Sequence, residues 1–364
     1  MIAACPECLR RAWLVARLSP NLDRARERWG SLESAFALGD ADLIAALGGA
    51  GTAALRAAYA AHDPHAAAAT CEAAGLDAVC RHDSRYPRPL AQAPDAPAML
   101  HVAGGLSRLS ELAAAPAVAL VGARRATPYG VEVARMLGRG LGAAGVTVVS
   151  GMALGVDSAA HDGALAANGG TVAVLAGGAD VPYPRSKRQL HGRLVADACV
   201  VSELPPGTPS RRWGFPARNR LIAGLSQITV VVEAAERSGS LITARVAREL
   251  GREVAAVPGR ITAPSARGAN DLICDGAHPI RGVEDLLDLL FGPGGGRERT
   301  AAQREAPVDQ RLRAVLDAVA DGRDTLAALA RTPAEAEGAM IALAELELSG
   351  HLRRGVGGRY VPVG

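Results

Sequence analysis

Six short β-branched runs recur between residues 116 and 291: AVALVGA, VTVVSG, TVAVLAGG, CVVSEL, ITVVVEA and EVAAVPG, each followed by a stretch compatible with a helix. That alternation leaves few architectures open. Runs of Val, Ile and Ala without polar interruption suit strands buried on both faces, and a helix after each strand is the crossover that parallel neighbours need. The pattern predicts an α/β domain over 116–291 built on a doubly wound parallel sheet. With 49% hydrophobic residues in a chain of 364, there is material for that core and for further domains.

The flanks read differently. Residues 1–82 are rich in Ala and Leu at helical spacing, and Gly48, Gly49 and Gly51 interrupt two amphipathic stretches as in helix-hairpin-helix or SAM-like modules. Residues 83–115 form a Pro-punctuated connector, expected to hold neither a long helix nor a central strand. The segment 292–307, GPGGGRERTAAQREAP, lacks hydrophobes and periodicity and reads as a linker. Beyond it, 308–364 predicts helices over 309–320 and 324–330, and a third to Leu348 opened by a Thr332/Glu335 capping box. A two-stranded ribbon turning at Gly357 and Gly358 completes a winged helix. The third helix carries Glu335, Glu337, Glu345 and Glu347 and no basic residue, which repels phosphate. The module therefore reads as a protein-contact or regulatory domain, with Arg353, Arg354 and Arg359 of the wing as its DNA candidates.

Composition limits the partners. No apolar run approaches the roughly 18 residues of a membrane helix, and the start MIAACPEC is too short for a signal peptide, so the expectation is a cytoplasmic protein without a membrane partner. A net charge of +3 means that any nucleic-acid contact comes from local clusters. Of the 40 basic residues only Lys187 is a lysine, so arginine identity alone says little. In a reducing compartment the six cysteines read as thiols, and no cofactor is expected. One alternative stays open: Cys5 and Cys8 have the CxxC spacing of a zinc knuckle, and Cys80 with His82 can complete a Cys3His tetrahedron. An isolated CxxC is common and the second pair is poorly spaced, so half-buried thiols are the preferred reading.

The chemistry gathers at the predicted strand C-termini, where open α/β sheets bind ligands. VGARRATPYG places Gly122 and Arg124 after the first strand, with Thr127 and Pro128 as an N-cap and first-turn pair whose free N–H groups suit a phosphate. The second strand ends at Ser150 and Gly151, and Ser238, Gly239 and Ser240 open another helix. The segment 202–226 joins a Pro-rich lead-in to Arg211, Arg212, Arg218 and Arg220, with Glu203 as its one acid and Trp213 and Phe215 as flat faces for unpaired bases. Asp157 and His161, four apart on a helix, read as a helix-start acid and a hydrogen-bonded His rather than a catalytic pair. GxGxxG after the first strand, GxxxxGK[ST] and GxSxG are all absent, which excludes the dinucleotide fingerprint, the P-loop and the nucleophile elbow.

VGARRATPYG, SGMALGVDSAAHDGAL, DVPYP, SELPPG with FPARNRLIAGLS, SGSLITA, and GREVAAVPG followed by GANDLICDGA resemble, in order and spacing, the DNA-processing protein A (DprA, or Smf) family. The resemblance implies a non-catalytic, homodimeric protein with an extended Rossmann-like domain. Such a protein binds single-stranded DNA and loads the RecA recombinase during natural transformation. It implies a phosphate-contacting arginine at Arg124, preceded by Ala123 where the family has Ser. Further DNA-contact positions fall at Arg212, Phe215, Arg218, Asn219, Arg220 and Arg252, and Lys187 replaces the family's usual Asn. Two other classes compete. One is a nucleotide-processing enzyme of the phosphoribohydrolase type, whose PGGxGT signature is missing; the other is a structural or regulatory module with vestigial phosphate loops.

Overall fold

The computed structural model describes residues 2–29, 32–295, 310–330, 332–348, 351–355 and 358–362. It divides into two units, one to Leu286 and one from Leu287.

All six predicted runs form strands: β4 (Ala117–Val121), β5 (Thr147–Ser150), β6 (Thr171–Val174), β7 (Cys199–Ser202), β8 (Ile228–Val231) and β9 (Glu253–Ala256). They are parallel, in the spatial order β7-β6-β5-β4-β8-β9. Val118 of β4 lies opposite Val148 on one side and Ile228 on the other, and all of β4 is buried, as a strand covered on both faces by helices must be. The chain builds outward from β4 in one direction and then returns to its other side. The strand order thus reverses between β4 and β8, which opens a crevice beyond their C-terminal ends.

The sheet is larger than the sequence pattern indicates. β1 (Ile2–Ala3), β2 (Asp77–Cys80) and β3 (Met99–Ala103) extend it past β7, and β10 (His278–Pro279) closes the other edge, giving ten strands. β3 runs antiparallel to both β2 and β7, so the sheet is mixed rather than wholly parallel. Two expectations are corrected here. The connector 83–115 does supply an interior strand, because its last proline, Pro97, stops just short of the proline-free MLHVA of β3. Residues 1–82 are not a separate body, since β1 and β2 are ladder members of the same sheet.

Between β1 and β2 lie helices Pro6–Arg17, Ser19–Trp29, Glu33–Ala37, Asp40–Leu47, Thr52–Ala61 and Pro64–Ala73. Their core of Leu14, Leu18, Leu22, Leu43 and Ile44 also takes in Leu204 and Trp213 from the segment after β7. The predicted glycine interruption is a single 3-10 turn, Gly49–Gly51, with Gly49 at φ 56. The second unit contains helices Gln310–Ala320, Leu326–Leu329 and Pro333–Leu348, with β11 (Leu352–Arg354) antiparallel to β12 (Tyr360–Pro362). The capping box forms: Thr332 N–H donates to Glu335 and Glu335 N–H to the Thr332 hydroxyl, at 3.2 and 3.3 Å. Arg359 pairs with Asp324 at 3.1 Å and Arg354 lies 5.8 Å from the Tyr360 ring centre. Linker residues 296–307, Gly357, and the side chains of Glu337 and Arg353 lie outside the described residues. Among the described residues no helix is long and apolar enough to cross a membrane.

Candidate nucleic-acid interface

The crevice at the strand-order reversal measures about 250 Å³. Its walls bring together Gly122 and Arg124 from the β4 loop, Phe215, Arg218 and Asn219 from helix Gly214–Gly224, and Ser238, Gly239 and Ser240 at the start of helix Ser240–Glu249. Gly122 has room for no side chain: a Cβ would stand 2.6 Å from Val156 and 3.0 Å from the Glu233 carbonyl. The β4 and β8 loops are clasped there by the Ala123 N–H donating to that carbonyl at 2.7 Å.

At the rim, the exposed Arg124 guanidinium stands 4.7 Å from the centre of the Phe215 ring, and the Tyr183 ring lies 5.1 Å from that ring, tilted by 48°. This column presents a fixed positive charge beside two aromatic surfaces. Tyr183 is 41% exposed and comes from the DVPYP segment, where local pattern alone does not mark it as a site residue. Arg26, on helix Ser19–Trp29, also lines the crevice. Its position depends on how the N-terminal helices pack, which no local pattern reveals.

Arg218 forms the floor. It is buried, donates to the Gly151 carbonyl at 2.6 Å and to the Val174 carbonyl, and pairs with buried Asp157 at 3.7 Å. Gly151 is glycine because a Cβ would overlap the Arg218 guanidinium. Burial pushes the Asp157 carboxyl up, and Arg218 opposes that shift. Burial likewise draws the Arg218 guanidinium down, with Asp157 countering it. Among the described residues lining the crevice, the one carboxylate is thus committed to an arginine. His161, read from sequence as hydrogen-bonded, meets the Thr171 hydroxyl at 2.7 Å.

Several predicted contacts sit elsewhere. The N-terminus of helix Pro128–Ala143 is already occupied by an anion: buried Glu233 accepts from the Thr127 N–H at 2.9 Å and from its hydroxyl at 3.2 Å. Thr127 in turn accepts from the Gly130 N–H, so this end offers no free N–H cluster to a phosphate. Ser150 is fully buried and donates to the Leu120 carbonyl at 2.6 Å. Arg220 is 4% exposed, paired with Glu203 at 2.7 Å and Asp95 at 3.2 Å, and stacked 4.7 Å from the Phe36 ring centre. It ties the connector and the N-terminal helices to helix Gly214–Gly224. Trp213 is 1% exposed, inside the helical core, and cannot stack on a base. Arg252 precedes β9, at the end of the sheet away from the crevice, and donates to the Pro89 carbonyl and to Gln92, each at 3.1 Å. Arg212 is exposed but not part of the crevice wall.

Fold and site together define a doubly wound α/β protein without a Walker or dinucleotide loop, its switch-point crevice edged by arginine and aromatic faces. Comparison with known proteins places it further: the family model for DNA recombination-mediator protein A matches residues 77–291, and the chain belongs to that family. It is 40% identical over 208 residues to protein Smf of Synechocystis, of whose length it spans 52%, and 39% identical over 216 residues to the DNA processing protein DprA of Bacillus subtilis, of which it spans 72%. In structure it resembles DNA processing protein A of Streptococcus pneumoniae, with a TM-score of 0.64, 31% identity, and coverage of 79% of this chain and 99% of that one. It also resembles the Helicobacter pylori protein, solved for its single-stranded DNA binding mode, with a TM-score of 0.51, 29% identity, and coverage of 56% and 92%.

Proposed function

We propose that the chain binds single-stranded DNA across this crevice and, as a homodimer, hands the strand to the RecA recombinase without itself catalysing a reaction. The observation that carries the reading is the Arg124–Phe215–Tyr183 column at the rim. A guanidinium beside two ring faces serves a phosphate and its neighbouring unpaired bases at once, whereas a duplex keeps its bases stacked away from such faces. The H. pylori relative's single-stranded DNA binding mode supports the same assignment. Commitment of Asp157 to Arg218 supports a binding rather than a proton-transfer role for the crevice.

The test is fluorescence anisotropy with labelled oligothymidine and a blunt duplex across a salt series, followed by RecA filament assembly on strands coated by a single-strand-binding protein. Tighter single-strand binding that weakens with salt is expected, together with faster filament assembly. Equal affinity for the duplex would overturn the first part, and unchanged filament assembly the second. Turnover of a nucleotide would favour the phosphoribohydrolase alternative.

A further inference from the structure

The four residues left open by the sequence converge. Sulfur atoms of Cys5, Cys8 and Cys80 and a ring nitrogen of His82 lie within 4.8 Å of one another. His82 Nδ1 stands 3.3 Å from Cys5 Sγ and 3.5 Å from Cys8 Sγ. Zinc bonds of about 2.3 Å to sulfur and 2.0–2.1 Å to nitrogen give a tetrahedron with S···N edges of about 3.5 Å, the length of the two His82 edges, and the remaining ligand atoms lie close enough to complete the shell.

The fold explains the convergence, including why the sequence spacing looked poor. β1 and β2 are parallel, Ile2 opposite Ala78 and Ala3 opposite Val79, so the chain leaves both strands at the same end of the sheet. After β1 it enters helix Pro6–Arg17 with Cys5 at the N-cap and Cys8 one turn on, on the same face. Cys5 makes no side-chain capping bond there, at a position where an oxygen side chain is the usual choice. Cys80 ends β2, and the Asp83 N–H donating to the Cys80 carbonyl at 2.9 Å closes a tight turn that carries His82 back over the thiols. That turn is held by Arg85 on Asp83 at 2.9 Å.

We infer that Cys5, Cys8, Cys80 and His82 form a structural zinc site that fastens the start of the chain to the β2 turn. Four protein ligands fill the shell and leave no open position, which marks a structural rather than a catalytic centre. Thiolate-rich donors favour zinc over the hard cations held by oxygen ligands. The clasp joins residues 74 apart in sequence, Cys8 and His82, and so removes loop freedom from the unfolded chain as a disulfide would.

The full-length chain, purified without added metal, should carry about one zinc per molecule by atomic emission. Cys80→Ser should reduce the metal to background and lower the melting temperature. Cys274→Ser, which alters an exposed thiol outside the cluster, should retain it. Should Cys80→Ser fail to fold, wild-type protein stripped by chelator and titrated with cobalt(II) decides the matter. Tetrahedral d–d bands with thiolate charge transfer are expected. Metal at background in the wild type with no tetrahedral cobalt spectrum, or full zinc retained by a folded Cys80→Ser chain, would overturn the site.

Discussion

Phe215→Ala is the sharpest probe of the interface, because the ring holds its neighbours as well as offering itself. Removing one base–aromatic stack costs about 1–3 kcal/mol, or roughly 5- to 150-fold in affinity. The Arg124 guanidinium, 4.7 Å from the ring centre, also loses its support, adding about 0.5–1 kcal/mol at an exposed site. Anisotropy of labelled oligothymidine over a salt series separates the two contributions. Phe215→Ala should lower affinity at every salt concentration with the slope unchanged, since no phosphate contact is lost. Arg124→Ala should flatten the log–log slope by about 0.7 for the one phosphate it gives up on a single strand. The double variant should then be less impaired than the sum of the singles, by about the cation–π coupling of 0.5–1 kcal/mol. Trp213→Ala makes the control: with its side chain in the helical core, the loss should appear as about 3–5 kcal/mol of stability rather than as affinity. If Phe215→Ala keeps its native melting temperature and binds oligothymidine as tightly as wild type, the rim cluster of Arg124, Phe215 and Tyr183 is not the grip.

Arg218→Ala should destabilise by about 3–5 kcal/mol in urea melts, because it strands a buried carboxylate, and adding Asp157→Ala should recover part of that loss; a near-neutral single variant would show that the pair is solvated. Arg220→Ala should likewise cost stability without altering the salt slope of DNA binding, because its charge is already spent on Glu203 and Asp95; a flattened slope would return it to the interface. Stability should also depend on pH through His101 and His161. Burial holds these imidazoles down, at about 4 and about 3 against an ordinary 6.5, so the unfolded chain takes up protons first. Their contribution is complete above pH 6.5 and is lost as pH falls toward those lower values, at roughly 1.4 kcal/mol per pH unit per histidine. Urea melts between pH 6 and 5 read this slope, His101→Gln should reduce it, and a flat profile would contradict the burial.

The sequence by itself determined the parallel core. Continuous Val- and Ala-rich runs can be satisfied only by strands covered on both sides, and the helix after each fixes the crossover, so β4 to β9 were legible from local pattern. The capping box at Thr332 and Glu335 was legible too, since its partners lie within one turn. Tertiary structure decided whatever depended on distant partners. Arg218 and Arg220 looked like free cations because their segment offers only Glu203, yet Asp157 and Asp95 arrive from other parts of the chain and bury them. Thr127 looked like the start of an open anion site until Glu233, from beyond β8, filled it. Trp213 looked like a stacking face because nothing near it in sequence requires its indole, whereas the N-terminal helices build their core around it. The Cys5–His82 cluster looked badly spaced because spacing measures distance along the chain, and parallel pairing of β1 with β2 sets the distance in space. Periodicity records which face of an element is buried, while the identity of the group that meets a given charge, ring or thiol is a property of the packed chain.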